Sequence, residues 1–86
     1  MKRPARILVV DDEPGMVRAV ERVLGGVHRV VGSQSSADSV ALATEFNPDL
    51  VILDIRMPGL DGFELMVRLK ADQPDGDIIL MTGSLD

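Results

Sequence analysis

Three apolar, strand-like runs each end in a polar residue able to meet a phosphate or a metal ion. Arg6-Ile7-Leu8-Val9-Val10 leads into Asp11-Asp12-Glu13, Leu50-Val51-Ile52-Leu53 into Asp54, and Ile78-Ile79-Leu80-Met81 into Thr82. Ligands of an open parallel sheet sit beyond the carboxyl ends of its strands, near the point where strand order reverses. If the runs are neighbouring parallel strands, three carboxylates and a hydroxyl share one edge. A strand-end carboxylate such as Asp54 can attack a phosphoryl group and form an aspartyl phosphate. Attack of one anion on another needs a divalent cation to neutralise the incoming charge. Asp11 and Asp12 offer the hard oxygen ligands that Mg²⁺ prefers, the ion keeping several waters. The backbone carbonyl of Arg56 is a further oxygen donor, and the Thr82 hydroxyl can bond a phosphoryl oxygen on Asp54.

The elements that would position these groups alternate between strand and helix. Near-continuous apolar runs such as Leu50–Leu53 are typical of strands buried on both faces. A first helix follows Pro14, a favoured first-turn residue, and stops before Gly25-Gly26. Its expected inward face is Met16, Ala19, Val20 and Val23, with Arg18, Glu21 and Arg22 toward water. His28–Gly32 is a weaker second strand. Ser35 or Ser36 caps a helix to about Phe46, with Asp38 in its first turn. Asn47-Pro48-Asp49 ends that helix. Asp61 with Glu64 resembles a capping box for a third helix reaching about Ala71, and Gln73-Pro74-Asp75-Gly76 turns the chain into the last strand. Alternation of this kind implies right-handed crossovers, hence an α/β fold with helices on both faces of a parallel sheet.

Bulk properties bound the function. The 86 residues are enough for one short domain, and 45% hydrophobic with 27% charged residues fits a globular chain. A net charge of −5 argues against a direct nucleic-acid surface. No cysteine is present, no signal peptide opens the chain and no run approaches a membrane span, which suits a cytoplasmic setting. Lys2, Arg3 and Arg6 read as a solvated basic start, the sole histidine, His28, as a surface residue, and Asp72, Asp75 and Asp77 as a solvated acidic turn.

Val9 through Pro14, Asp49 through Leu65 and Ile79 through Gly83 resemble the receiver domain of bacterial two-component response regulators, in the same order and spacing. The Asp49–Leu65 block, containing Asp54-Ile55-Arg56-Met57-Pro58-Gly59-Leu60-Asp61-Gly62, is the most specific part. The resemblance implies a flavodoxin-like, doubly wound sheet of order 2-1-3-4-5. It implies Asp54 as phosphoacceptor for a sensor histidine kinase or phosphotransfer protein, and Mg²⁺ (or Mn²⁺) held by Asp12 directly and by Asp11 through water. Asp54 and the Arg56 carbonyl complete the metal set, and Thr82 is the switch hydroxyl. The Arg56 side chain and Ser84 would tune phosphate lifetime, and Val17 is a candidate kinase contact.

Receiver domains ordinarily continue through a fourth helix, a fifth strand and a fifth helix, which carry a phosphate-pairing lysine and a switch aromatic. Neither Lys2 nor Lys70 matches that lysine by position. Residues 1–86 therefore read as a receiver incomplete at its C-terminus, with strands 2-1-3-4 present and Ile78–Met81 as an apolar edge. Several hundred Å² of uncovered apolar surface at roughly 25 cal/mol per Å² is worth several kcal/mol, a large share of the roughly 5–15 kcal/mol a domain commands. Expected remedies are a longer parent protein, a homodimer or a domain-swapped oligomer covering the open sheet face. Two other functions compete with the phosphoacceptor module. One is a receiver-shaped scaffold or oligomerisation module that is never phosphorylated. The other is a phosphohydrolase of the haloacid dehalogenase type, which needs a second acid two residues after the nucleophile, where this chain has Arg56.

Overall fold

The computed structural model describes residues 3–55 and 62–81. They run β1 (Arg6–Val10), α1 (Pro14–Leu24), β2 (Arg29–Ser33), α2 (Ser36–Phe46), β3 (Leu50–Asp54), α3 (Gly62–Asp72) and β4 (Asp77–Met81). The strands are all parallel, in the order β2-β1-β3-β4. The expected doubly wound α/β sheet is therefore present, and strand order reverses at β1. Among the described residues, β4 pairs only with β3.

The local signals act much as their chemistry dictates. Pro14 opens α1, where its missing N–H costs nothing. The Ser35 hydroxyl accepts the Asp38 N–H at 3.4 Å and caps α2. Asn47 ends α2 in the left-handed conformation, φ 51°, and its N–H donates to the Ala43 carbonyl. The expected Asp61 cap of α3 lies outside the described residues.

The main core fills the sheet face covered by α2 and α3. Leu8 and Val10 of β1 and Val51 and Leu53 of β3 meet Ala43, Leu65 and Leu69, all buried. The opposite face carries Ile7 and Val9, both buried. Register sets Ile52 beside Val9 and Ile79 beside Ile52 on that face. Here α1 departs from expectation. It has no fully buried residue; Ala19 is exposed, as are Met16 (37%) and Val23 (75%), while Val17, Val20 and Leu24 are half-buried. Gly32 explains the placement, since a Cβ there would lie 2.3 Å from the Val17 Cγ1. The missing side chain lets α1 settle over β2 through Val17, which places the methyls of this candidate kinase contact on the sheet. The apolar face expected to point inward then borders a trough lined by Ala19, Val20, Val23, Leu24 and Ile52. Ile79 is half exposed on the same side of the sheet.

At the amino-terminal end of the sheet Arg6 is anchored rather than solvated, whereas the Arg3 side chain is exposed as expected and Lys2 lies outside the described residues. The Arg6 N–H donates to Asp49 Oδ2 at 2.8 Å, and its Nε donates to the Asn47 carbonyl at 2.9 Å. Arg3 and Arg6 each pair with Asp49 at 3.8 Å. His28 is no idle surface residue either: its Nδ1 accepts the Ala5 N–H at 2.9 Å and holds the approach to β1 against β2. Asp72, Asp75 and Asp77 are exposed, as the sequence implies.

Candidate functional site

Parallel registration carries the chemistry to one edge. Val10 pairs with Leu53, so Asp11 and Asp54 emerge side by side where β1 and β3 end. The Asp11 N–H donates to the Ser33 carbonyl at 3.0 Å, which ties the first residue beyond β1 to the end of β2. Asp11 Oδ1 accepts the Glu13 N–H at 2.9 Å, turning the chain into α1 and leaving Asp12 exposed between them. Asp54 ends β3 opposite Met81, and the Ile55 N–H donates to the Met81 carbonyl at 3.1 Å.

Asp11, Asp12 and Asp54 each offer a carboxylate oxygen, and these atoms all lie within 4.8 Å of one another. Asp11 and Asp54 are buried, at 5% and 6% exposure. Burial pushes the Asp11 carboxyl above its ordinary value, and the charges of Asp54, Asp12 and Glu13 push it the same way against the Glu13 N–H bond. Three hard anionic oxygens packed this closely, one of them resisting ionisation, fit a small divalent cation. Asp11, Asp12 and Asp54 are the residues that would hold such an ion. The structure thus brings together three of the residues singled out in the sequence. Arg56, Thr82 and Ser84 lie outside the described residues.

The raised Asp11 carboxyl has a measurable consequence. The folded chain binds this proton more tightly than the unfolded chain does, so the burden of the charge is fully present above the folded pKa. It disappears as pH falls through that value toward the unfolded one. The metal-free chain should therefore gain stability from Asp11 as pH falls through the raised folded pKa, opposite to a salt-bridged carboxylate. Asp11→Asn should remove the gain and raise the melting temperature at neutral pH, by roughly 4–8 °C for each 1 kcal/mol of penalty relieved. Thermal melts of both chains in chelator, from neutral pH downward, test this. A variant that melts lower than the parent at neutral pH would contradict it.

Comparison with known proteins places the site in context. The response regulator receiver domain family matches residues 7–86. This chain belongs to that family. PilH of Pseudomonas aeruginosa is 42% identical over 69 residues, which are 79% of this chain and 57% of PilH. A receiver domain from Clostridium thermocellum superposes with a TM-score of 0.83 at 32% identity, covering 95% of this chain and 68% of that one. The beryllofluoride-activated DrrB receiver domain superposes with a TM-score of 0.80 at 29% identity, covering 96% and 69%. This receiver chain thus spans little more than half the length of PilH, and about two thirds of those two solved domains.

Sequence reading gave no structural role to several residues around the receiver site, Gly62 among them although it lies in the most specific block. Ser33 and Gly32 support Asp11 and α1 from β2, and Gly62 begins α3 against Ile55. Gly32 and Gly62 left a faint signal, each a glycine where a strand or helix gains nothing from one.

Proposed function

We propose that this receiver accepts a phosphoryl group on Asp54 from a sensor histidine kinase or phosphotransfer protein. The observation that carries the reading is the juxtaposition of Asp54 with Asp11 and Asp12 within 4.8 Å. A carboxylate oxygen of Asp54 forms a bond to phosphorus as the bond from phosphorus to the donor's imidazole nitrogen breaks, its electron pair staying on nitrogen. A bound Mg²⁺ or Mn²⁺ would neutralise charge on the phosphoryl oxygens. Asp12 and Asp11 would hold the cation, and Asp54, at the end of β3, places its carboxylate oxygen within 4.8 Å of theirs. The Arg56 carbonyl is proposed as an additional oxygen ligand. Thr82 is proposed to bond the phosphoryl group and transmit its presence as a change in the neighbouring surface. The module modifies only itself, assisting its own phosphorylation and hydrolysis. A kinase donor draws on ATP, which sets the proposed action in the cytoplasm.

Intact mass under native conditions tests the reading. Acetyl phosphate with Mg²⁺ should add one phosphoryl group, and excess chelator should prevent it. Beryllofluoride, the activator of the DrrB receiver, should bind in the presence of Mg²⁺ and produce no turnover. A folded chain that takes up neither would favour a receiver-shaped scaffold, and the same spectrum would show whether it is a homodimer.

A further inference from the structure

We propose that Gly62 is a positioning residue for the acceptor: its lack of a side chain lets α3 begin directly against Ile55, which holds Asp54 at the spacing from Asp11 and Asp12 that a shared divalent cation requires. The inference rests on the phosphoacceptor reading above and deepens it.

Gly62 is buried at the start of α3. A Cβ at this position would lie 2.7 Å from the Ile55 Cα, 2.8 Å from its Cβ and 2.9 Å from its Cγ2. Non-bonded carbons pack at about 3.5–4.0 Å, so a single methyl demands a shift approaching 1 Å. The nearest atom is backbone, which no rotamer change can withdraw. Two bodies could yield. Retreat of α3 is opposed by Leu65 and Leu69, which are buried in the main core. The body of β3 is held between β1 and β4. What remains is the peptide joining Asp54 to Ile55, at the strand end where the ladder gives out. Movement there displaces the acceptor itself and strains the Ile55 N–H bond to the Met81 carbonyl. A misplacement of about 1 Å at a reacting group can cost on the order of 10²-fold in rate.

Gly26 supplies the control, since a Cβ there would meet nothing within 4 Å. Mg²⁺ affinity, by calorimetric titration of the full chain without a phosphoryl donor, reads the spacing directly; circular dichroism reports the fold. Gly62→Ala should remain folded and lose roughly 10–100-fold in Mg²⁺ affinity, the scale seen when support of metal ligands is disturbed. Gly26→Ala should stay within about twofold of the parent. Gly62→Ala with Ile55→Gly, which removes two of the three crowded atoms, should recover at least about threefold of the loss. A folded Gly62→Ala chain with parental affinity would overturn the proposal. If Gly62→Ala does not fold, the double variant decides: folded and metal-binding supports positioning, whereas unfolded assigns Gly62 to folding alone. A parent chain that binds no Mg²⁺ would sink the phosphoacceptor reading and this proposal together, while a metal-binding parent confines any failure to Gly62.

Discussion

Asp54→Asn is expected to abolish phosphoryl uptake from acetyl phosphate, leaving the intact mass unchanged where the parent gains one group. The exchange keeps the shape of the side chain and removes its negative charge, so the amide oxygen is too weak a nucleophile to take phosphorus from a good donor. The same change should show in two measurements that need no donor. Asp54 is one of the charges that push the Asp11 carboxyl upward, so its loss should ease ionisation of Asp11 and stabilise the metal-free chain. Removal of one carboxylate from a set of three within 4.8 Å should also weaken Mg²⁺ binding, by an expected 10–100-fold or more. Together these outcomes separate a lost acceptor from a lost fold, because a misfolded variant would melt lower. An adduct that persists in Asp54→Asn would move the acceptor role to Asp11 or Asp12. Asp12 suits it less well, being exposed at the start of the turn into α1 where Asp54 is buried at the end of β3.

The acidic site was legible in the sequence because two periodicities coincide there. Near-continuous apolar runs mark β1, β3 and β4 as strands of a parallel sheet, although β4 itself has no buried residue, and parallel strands deliver their terminal residues to one edge. Asp11, Asp12 and Asp54 therefore follow from pattern and residue type before any coordinate is known. Residues that act through absence or through backbone are harder to read. Nothing in a one-dimensional pattern says that Gly32 lies beneath Val17 or that Gly62 lies against Ile55. The anchor at the opposite end of the sheet was missed for a related reason. Asp49 looks like part of a helix-breaking turn, and only tertiary folding brings Arg3 and Arg6 to it. The α1 face was misjudged because its apolar positions were assumed to mark buried ones. Amphipathicity names the face that should be covered, but the packing of Val17 over Gly32 decides how much of it β2 covers.

That last difference leads to the second large effect, a contrast between two apolar truncations. Leu8→Ala is expected to remove about 2–5 kcal/mol of stability, against a total that natural domains hold near 5–15 kcal/mol. Leu8 is wholly buried in the central strand and belongs to the core shared with Val51, Leu53, Leu65 and Leu69. Neighbours on the flanking strands and two helices restrict collapse into the space the lost isopropyl group leaves, so the cavity penalty adds to the lost burial. Urea unfolding should show a much lower midpoint, and a large part of the Leu8→Ala population should be unfolded at 37 °C. Val23→Ala makes a comparable apolar deletion in α1 at a position 75% exposed in this structure. It should stay within about 0.5 kcal/mol of the parent, as surface substitutions usually do. The pair therefore measures whether the trough beside Ile52 is open in solution. If Val23→Ala costs nearly as much as Leu8→Ala, something covers α1, and dependence of the midpoint on protein concentration distinguishes a second copy from a rearranged monomer. If only Leu8→Ala is costly, stability resides in the α2/α3 face and the central strands, the same elements that hold Asp11 and Asp54 together.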